Sequence, residues 1–344
     1  MGSWPKAEVR PAGWRLVAKN GRMRAAVYET SGSSDVLRVT DVPRPDPAPG
    51  EVRVRLRWSG VNPTDWKSRA GLTAGAPAQW QIPNQDGAGH IDAVGDGVDP
   101  ARTGQAVWVY LAAAGRRWGT AAEWTVVPAA QAVALPEGAS LELGATLGVP
   151  ALTAQHALFA DGPIEGKNVL VAGGAGAVGH FAIELAHRGG ARVLATVSSE
   201  EKAELARAAG ADAVVNYRAD DAAAVVRRFT DRFDRIIEVA LGANLDLDLA
   251  VAGAGTTIVS YASEVADPVL PLRRCMTANV VLRFVLLYGI GTAALAAAVA
   301  GVSAAMAAGA LSELPAHRFA LDQIAAAHDA VESGVTGKVL VSLS

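Results

Sequence analysis

The stretch Val169-Leu-Val-Ala-Gly-Gly-Ala-Gly-Ala-Val-Gly179 places Gly174, Gly176 and Gly179 where a short apolar run gives way to a helical pattern. That spacing suits a phosphate. The first glycine permits a tight strand-to-helix turn, the second lets backbone N–H groups approach a pyrophosphate, and the third lets the helix pack on the strand. The unpaired N–H groups of Ala177 and Val178, at the positive end of the helix dipole, then face the anion. Glycine-rich turns serve many loops, so the motif takes its weight from its surroundings.

Those surroundings form a βαβ unit. Asn168 to Ala172 reads as a buried parallel strand, and Val178, Phe181, Ala182 and Leu185 recur at helical spacing. Gly189-Gly190 stops that helix before a second strand, Arg192 to Val197. Further alternation follows: a helix at Glu200 to Ala208, strand Ala213 to Tyr217, a helix through Val225 and Phe229, strand Phe233 to Ala240, a helix near Leu245 to Ala252, and strand Thr256 to Tyr261. This pattern predicts an α/β domain with a doubly wound parallel sheet, a Rossmann arrangement for a dinucleotide.

The end of the second strand bears on which dinucleotide. An NAD site places a carboxylate there, about 20 residues beyond the glycines, to meet the ribose hydroxyls. Here Val197 stands at or near that place, followed by Ser198, Ser199 and Lys202. Two hydroxyl donors and a cation suit a 2′-phosphate, so NADPH is expected. The competing reading makes Ser198 or Ser199 a helix cap, with Lys202 on a solvated face.

Composition narrows the remaining classes. A chain of 344 residues with 51% hydrophobic and 19% charged residues is long enough for two globular domains. A net charge of −3 makes a nucleic-acid surface unexpected. The single cysteine, Cys275, excludes a disulfide framework and a cysteine-based zinc cluster, which suits a reducing cytoplasm. Residues 1–22 carry Lys6, Arg10, Arg15, Lys19 and Arg22 without an apolar core, and read as a disordered leader. From Phe284 to Leu311 no charge occurs, but glycines interrupt the run; a β-rich strand, Val280 to Tyr288, and an Ala-rich helix are expected there instead of a membrane span.

Residues 23–148 differ in kind. Short β-rich runs (Ala25 to Glu29, Glu51 to Ser59, Gly89 to Val94, Ala106 to Leu111, Ala121 to Val127) are separated by Pro and Gly turns, predicting an irregular β-barrel. The order barrel, glycine loop, Thr336-Gly-Lys-Val-Leu340 resembles the medium-chain dehydrogenase/reductase superfamily, specifically its zinc-independent quinone oxidoreductase, zeta-crystallin-like, branch. Ser59-Gly-Val-Asn-Pro-Thr-Asp65 with Arg69-x-Gly71, Asp86-Gly-Ala-Gly89 with Ala93-Val-Gly95, and Ala243-Asn-Leu-Asp-Leu-Asp248 carry that resemblance, which covers nearly everything after Met23.

The resemblance implies a GroES-like catalytic domain at 23–148, a nucleotide domain at 149–285 and a return to the catalytic domain at 286–344. Where the zinc enzymes of the superfamily have two cysteines and a histidine, this chain has Ser59, Gln85 and a position near Val149, so no catalytic metal is expected. The six histidines, at 90, 156, 180, 187, 317 and 328, form no ligand-spaced cluster. Without a Lewis acid, readily reduced quinones or activated enones are better suited than alcohols.

By family position, Asn62 is expected to orient the acceptor carbonyl, Asp65 to organise the loop from Asn62 to Lys67, and Thr153, at the start of a helix, to lie by the nicotinamide. Tyr217 and Lys338 join the cofactor contacts on the same basis. Zeta-crystallin-like members carry tyrosines where this chain has Trp66-Lys67-Ser68 and Leu72-Thr73. Trp66 is therefore a stacking candidate, Lys67 a donor and Tyr110 an alternative donor, each with a plain packing or solvated reading beside it. The strand Asn279 to Tyr288 resembles the edge that pairs in a homodimer. Enone or enoyl-thioester reduction is the near alternative to quinone reduction, and NADPH sensing or RNA binding without turnover the alternative of another class.

Overall fold

The computed structural model describes residues 21–73, 75–218, 221–263 and 267–343; the expected leader thus lies, but for its last two positions, outside the described residues. The barrel part is built from β1 (Arg22–Val27), β2 (Arg38–Pro43), β3 (Glu51–Val61), α1 (Pro63–Arg69), β4 (Asp86–Val94), β5 (Ala106–Val109), β6 (Trp124–Pro128) and β7 (Ala132–Ala134). The nucleotide part follows α2 (Leu141–Phe159) and comprises β8 (Asn168–Val171), α3 (Ala177–Arg188), β9 (Arg192–Val197), α4 (Glu200–Ala208), β10 (Ala213–Asn216), α5 (Ala222–Phe229), β11 (Phe233–Glu238), α6 (Leu241–Val251), β12 (Ala252–Ser260), α7 (Leu272–Ala278) and β13 (Val281–Phe284). Four elements close the chain: α8 (Thr292–Ala307), β14 (Ala316–Ala320), α9 (Ile324–Glu332) and β15 (Lys338–Ser342).

The strands β10-β9-β8-β11-β12-β13 pair in that order, all in parallel. The order reverses between β8 and β11. At such a switch point the loops beyond the strand ends diverge and leave a crevice, which is where a dinucleotide lies. β8 supplies Val169, Leu170 and Val171 to the interior, buried as a strand covered on both faces must be. A second sheet runs β14-β15-β3-β4-β5-β7, with β6 also on β3, and β15 lies antiparallel to β3. Thus Lys338, at the start of β15, comes back beside Val61 and the Asn62 that follows it.

Between the two sheets runs α2, buried along most of its length, including Leu147, Leu152 and Leu158. Each such side chain contributes on the order of 2 kcal/mol on burial. The expected domain boundary at 149 falls inside this helix, which ties the two parts into one core. The segment after Asn62, expected as a loop, is the helix α1, started by Pro63. The β-rich segment Val280 to Tyr288 is shorter than expected, since after Phe284 the chain turns through a 3₁₀ segment, Leu287–Gly289. No helix among the described residues is long and apolar enough to cross a membrane.

Candidate active site

A cleft of about 940 Å³ opens beyond the ends of the parallel strands, with α1 and α2 as its far wall. Gly173, Ala175, Gly176, Ala177 and Val178 line its middle. The tight turn is made by Gly173, at φ +68°, a conformation that glycine adopts without strain, and not by Gly174 as the motif's usual assignment had it. Gly174 is needed for closeness: a Cβ there would meet that of Ala195 at 2.8 Å. A Cβ on Gly179 would meet the Gly173 carbonyl oxygen at 2.3 Å, so α3 packs on the turn itself. Gly174 and Gly179 shape the cradle from behind while Gly176 and its neighbours face the ligand.

At one end of the cleft lie Val197, Ser198, Lys202 and Tyr217, the last half exposed. Lys202 Nζ donates to Ser198 Oγ at 3.1 Å, so hydroxyl and cation are held together beside an apolar residue where an NAD site has a carboxylate. Ser199 departs from expectation: its Oγ accepts from the Lys202 backbone N–H at 3.3 Å and caps α4, and it does not line the cleft.

At the other end Asn62 is 1% exposed, and its amide is held at both ends. Its Nδ2 donates to Asp86 Oδ2 at 2.7 Å, and its Oδ1 accepts from Lys338 Nζ. The Asn62 backbone N–H donates to Asp65 Oδ2 at 2.7 Å, which starts α1. The side chain of Asn62 is therefore drawn into a buried charge cluster and does not cap the helix. Val149 N–H donates to both oxygens of Asp86 at 2.9 Å. This close seat exists because residue 148 is glycine, where a Cβ would meet Asp86 Oδ1 at 2.0 Å.

Burial pushes Asp86 up to about 6, with Lys338 opposing it. Burial and then the Asp86 charge push Asp65 up further, to about 8, and burial pulls Lys338 down against the two carboxyls. One cation, one carboxylate and one neutral carboxyl is the arrangement this favours near neutrality, because an unbalanced buried charge is costly.

The remaining candidates separate clearly. Thr153 lines the cleft, from the middle of α2 and not from a helix start. Lys67 lines it too and reaches the Ser263 carbonyl at 3.2 Å. Trp66 does not; it sits half-buried beside the Lys67 ammonium, 5.9 Å from its ring. Tyr110 is buried against Trp108, with its hydroxyl on the Ala130 carbonyl at 3.3 Å, away from the cleft. Lys338, expected among the cofactor contacts, is buried behind Asn62 and does not line the cleft, since the pairing of β15 with β3 draws it into the charge cluster.

Residues 177–304 match the family described as Zinc-binding dehydrogenase, and residues 48–137 the one described as Alcohol dehydrogenase GroES-like domain. The quinone oxidoreductase of Lama guanicoe is 30% identical over 329 residues, covering 93% of this chain and 98% of that protein. The chain belongs to the medium-chain dehydrogenase/reductase superfamily, on its quinone oxidoreductase-like side. Among solved structures, a mycobacterial protein complexed with NADPH superposes with TM-score 0.81 at 27% identity, covering 93% of this chain and 99% of that one. An NAD-dependent alcohol dehydrogenase superposes with TM-score 0.85 at 27% identity, covering 94% and 100%. Membership of the superfamily makes this protein an oxidoreductase.

For a member of this superfamily the zinc positions are informative. Ser59 Oγ takes Asn84 Nδ2 at 3.0 Å and pairs with Thr120 Oγ1 at 2.8 Å, and Gln85 Oε1 accepts from Ala113 N–H at 3.1 Å. A hydroxyl, an amide and a valine, the polar pair already bonded to protein neighbours, do not make a zinc donor set. No group of three or more His, Cys, Asp or Glu among the described residues is arranged to hold a metal.

Sequence reasoning missed Thr64, Tyr261 and Tyr288, which line the cleft, and the part played by Asp86. Only Asp86 carried a signal, a carboxylate in an apolar strand that needs a buried partner. Behind Tyr261 lie Glu238 and Asp248, two buried carboxyls; burial and then the Glu238 charge push Asp248 up to about 8.

Proposed function

We propose that this protein reduces quinones with NADPH and without a metal. The observation that carries the cofactor is the Lys202 ammonium held on Ser198 next to Val197, a phosphate-sized cationic and hydroxylic corner with an apolar residue where an NAD site has an acid. The mycobacterial complex with NADPH supports this reading, while the NAD-dependent neighbour marks the choice that Lys202 decides. The bonded hydroxyl and amide at Ser59 and Gln85 support metal-free chemistry, and the relatives named quinone oxidoreductase support the substrate.

The bound dinucleotide would supply hydride. This chain's residues hold its pyrophosphate at the N–H groups of Ala177 and Val178, and its ribose phosphate at Ser198 and Lys202. Asn62, fixed by Asp86 and Lys338, has a second amide hydrogen with which to orient an acceptor carbonyl. Val149, Pro150 and Leu287 restrict water around the reacting atoms. Enone reduction shares these parts. We also infer a homodimer along the edge strand β13, where Val281 and Phe284 are exposed beside Leu272 and Met276 of α7, an apolar edge that a second copy would cover.

The test follows NADPH and NADH absorbance with a panel of quinones and enones, with and without EDTA. Quinone turnover with NADPH preferred and EDTA without effect is expected. NADPH binding with no turnover of any acceptor would instead indicate a sensing role, and loss of activity in EDTA would return zinc to the site.

A further inference from the structure

Resting on that reading, and deepening it, we infer that the Tyr288 phenol is a second hydrogen-bond donor to the acceptor oxygen of the substrate, beside the Asn62 amide, and so a catalytic residue. Tyr288 lies in the 3₁₀ turn that follows β13, on the nucleotide side of the cleft, and its hydroxyl donates across to Thr64 Oγ1 at 3.1 Å on α1. Both residues line the cleft together with Asn62 and Lys67. The crossing bond puts an O–H where the two walls approach, at the end of the cleft away from Lys202 and Tyr217. In a dinucleotide fold the two mononucleotide halves lie over opposite sides of the switch point, so with the phosphate corner beyond β9 and β10 the reacting end lies beyond β11 to β13. Tyr288 is on that side.

The phenol is fit for donating a hydrogen bond and unfit for ionising. Burial, and then the carboxyls of Asp65 and Asp86, hold it above the ordinary tyrosine range, while Thr64 pulls the other way. It therefore keeps its proton at neutral pH. Its present acceptor is a threonine hydroxyl, which the acceptor carbonyl replaces, and the bond becomes charge-assisted and stronger as that oxygen turns into a phenolate. The other donor candidate on α1, Lys67, is turned to the Ser263 carbonyl and the Trp66 ring.

The step balances without a further reagent. Two electrons and one hydrogen reach the quinone as hydride, giving a hydroquinone monoanion. The oxygen bearing the charge takes the Tyr288 hydrogen bond in place of Thr64, and the second proton comes from water. The phenol stays protonated throughout, so it needs no recharging.

The experiment compares wild type with Tyr288→Phe, which keeps the ring and its packing. The rate with a quinone is one readout, and the other is binding of 4-nitrophenolate to protein loaded with oxidised cofactor, followed by absorbance where the phenolate form prevails. Expected are a fall in kcat of about 100-fold, as for loss of one oxyanion donor, and a 4-nitrophenolate Kd weakened about 10-fold, with NADPH affinity unchanged. Unchanged 4-nitrophenolate affinity overturns the assignment whatever the rate does. If wild type turns over no quinone but Tyr288→Phe still weakens phenolate binding, the reductase reading falls and the donor assignment stands.

Discussion

Lys338 Nζ donates to the side-chain oxygen of Asn62, a bond between residues 276 positions apart in the chain. It exists because β15 returns antiparallel to β3, and it leaves a fully buried ammonium balanced by the Asp86 carboxylate, with the Asp65 carboxyl beside them. Lys338→Met should therefore destabilise the fold by about 3–5 kcal/mol, the cost of leaving the buried Asp86 carboxylate without its cation. A urea midpoint within error of wild type would show that the cluster is not charged as described.

Asn62→Ala and Asn62→Asp separate geometry from charge. Asn62→Ala removes the amide that faces the acceptor and should lower kcat with a quinone by roughly 100-fold while NADPH affinity holds. Asn62→Asp adds a carboxylate against Asp86, which lies 2.7 Å from Nδ2, so it should lose as much rate and also lower the urea midpoint. Steady-state kinetics and denaturation on both variants check this.

Lys202→Ala should raise the Michaelis constant for NADPH by roughly 10-fold or more, the worth of one charge-assisted contact, and barely alter that for NADH. Equal effects on the two cofactors would remove Lys202 from the phosphate corner.

The cradle glycines are not equivalent. A Cβ at residue 179 meets the Gly173 carbonyl at 2.3 Å, whereas one at residue 176 meets the same oxygen at 3.3 Å. Backbone must shift in Gly179→Ala, so NADPH binding by fluorescence titration should be lost there and only weakened in Gly176→Ala. The reverse order would contradict this turn geometry.

Asp248 makes stability depend on pH. Its folded value is raised to about 8 from 3.8 by burial and by Glu238, so across that window the folded state holds a proton that the unfolded chain has released. Stability from this group is thus greatest at low pH and is lost as pH rises from about 4 to about 8. Asp248→Asn has no such proton to lose. Its stability relative to wild type should rise across that window in denaturation curves taken at several pH values; a constant difference would place the proton elsewhere.

Several features were legible because local pattern dictates them. The run from Asn168 to Val197 alternates as a buried strand, helix and strand must, and the observed β9 and α4 end where Val197 and Gly210 say they should. The Val197, Ser198 and Lys202 corner follows directly, since all three lie within one strand end and one helical turn. Ser199 was ambiguous between phosphate contact and cap because both use the same hydroxyl, and only the helix geometry chose the cap.

By itself the sequence determined a Rossmann sheet, a preceding barrel and a glycine cradle, because strand and helix periodicity and glycine spacing are short-range signals. It could not decide what faces the cleft at the reacting end. Tyr110 and Tyr288 look alike in sequence, each an aromatic in a β-rich run, yet one packs against Trp108 and the other reaches Thr64 across the cleft. Lys338 likewise belongs with Asn62, Asp65 and Asp86 only after β15 has paired with β3 and α2 has closed over them. Those choices depend on contacts between residues far apart in the chain, and burial then makes each one matter, because a charge or donor taken from water must find its partner inside.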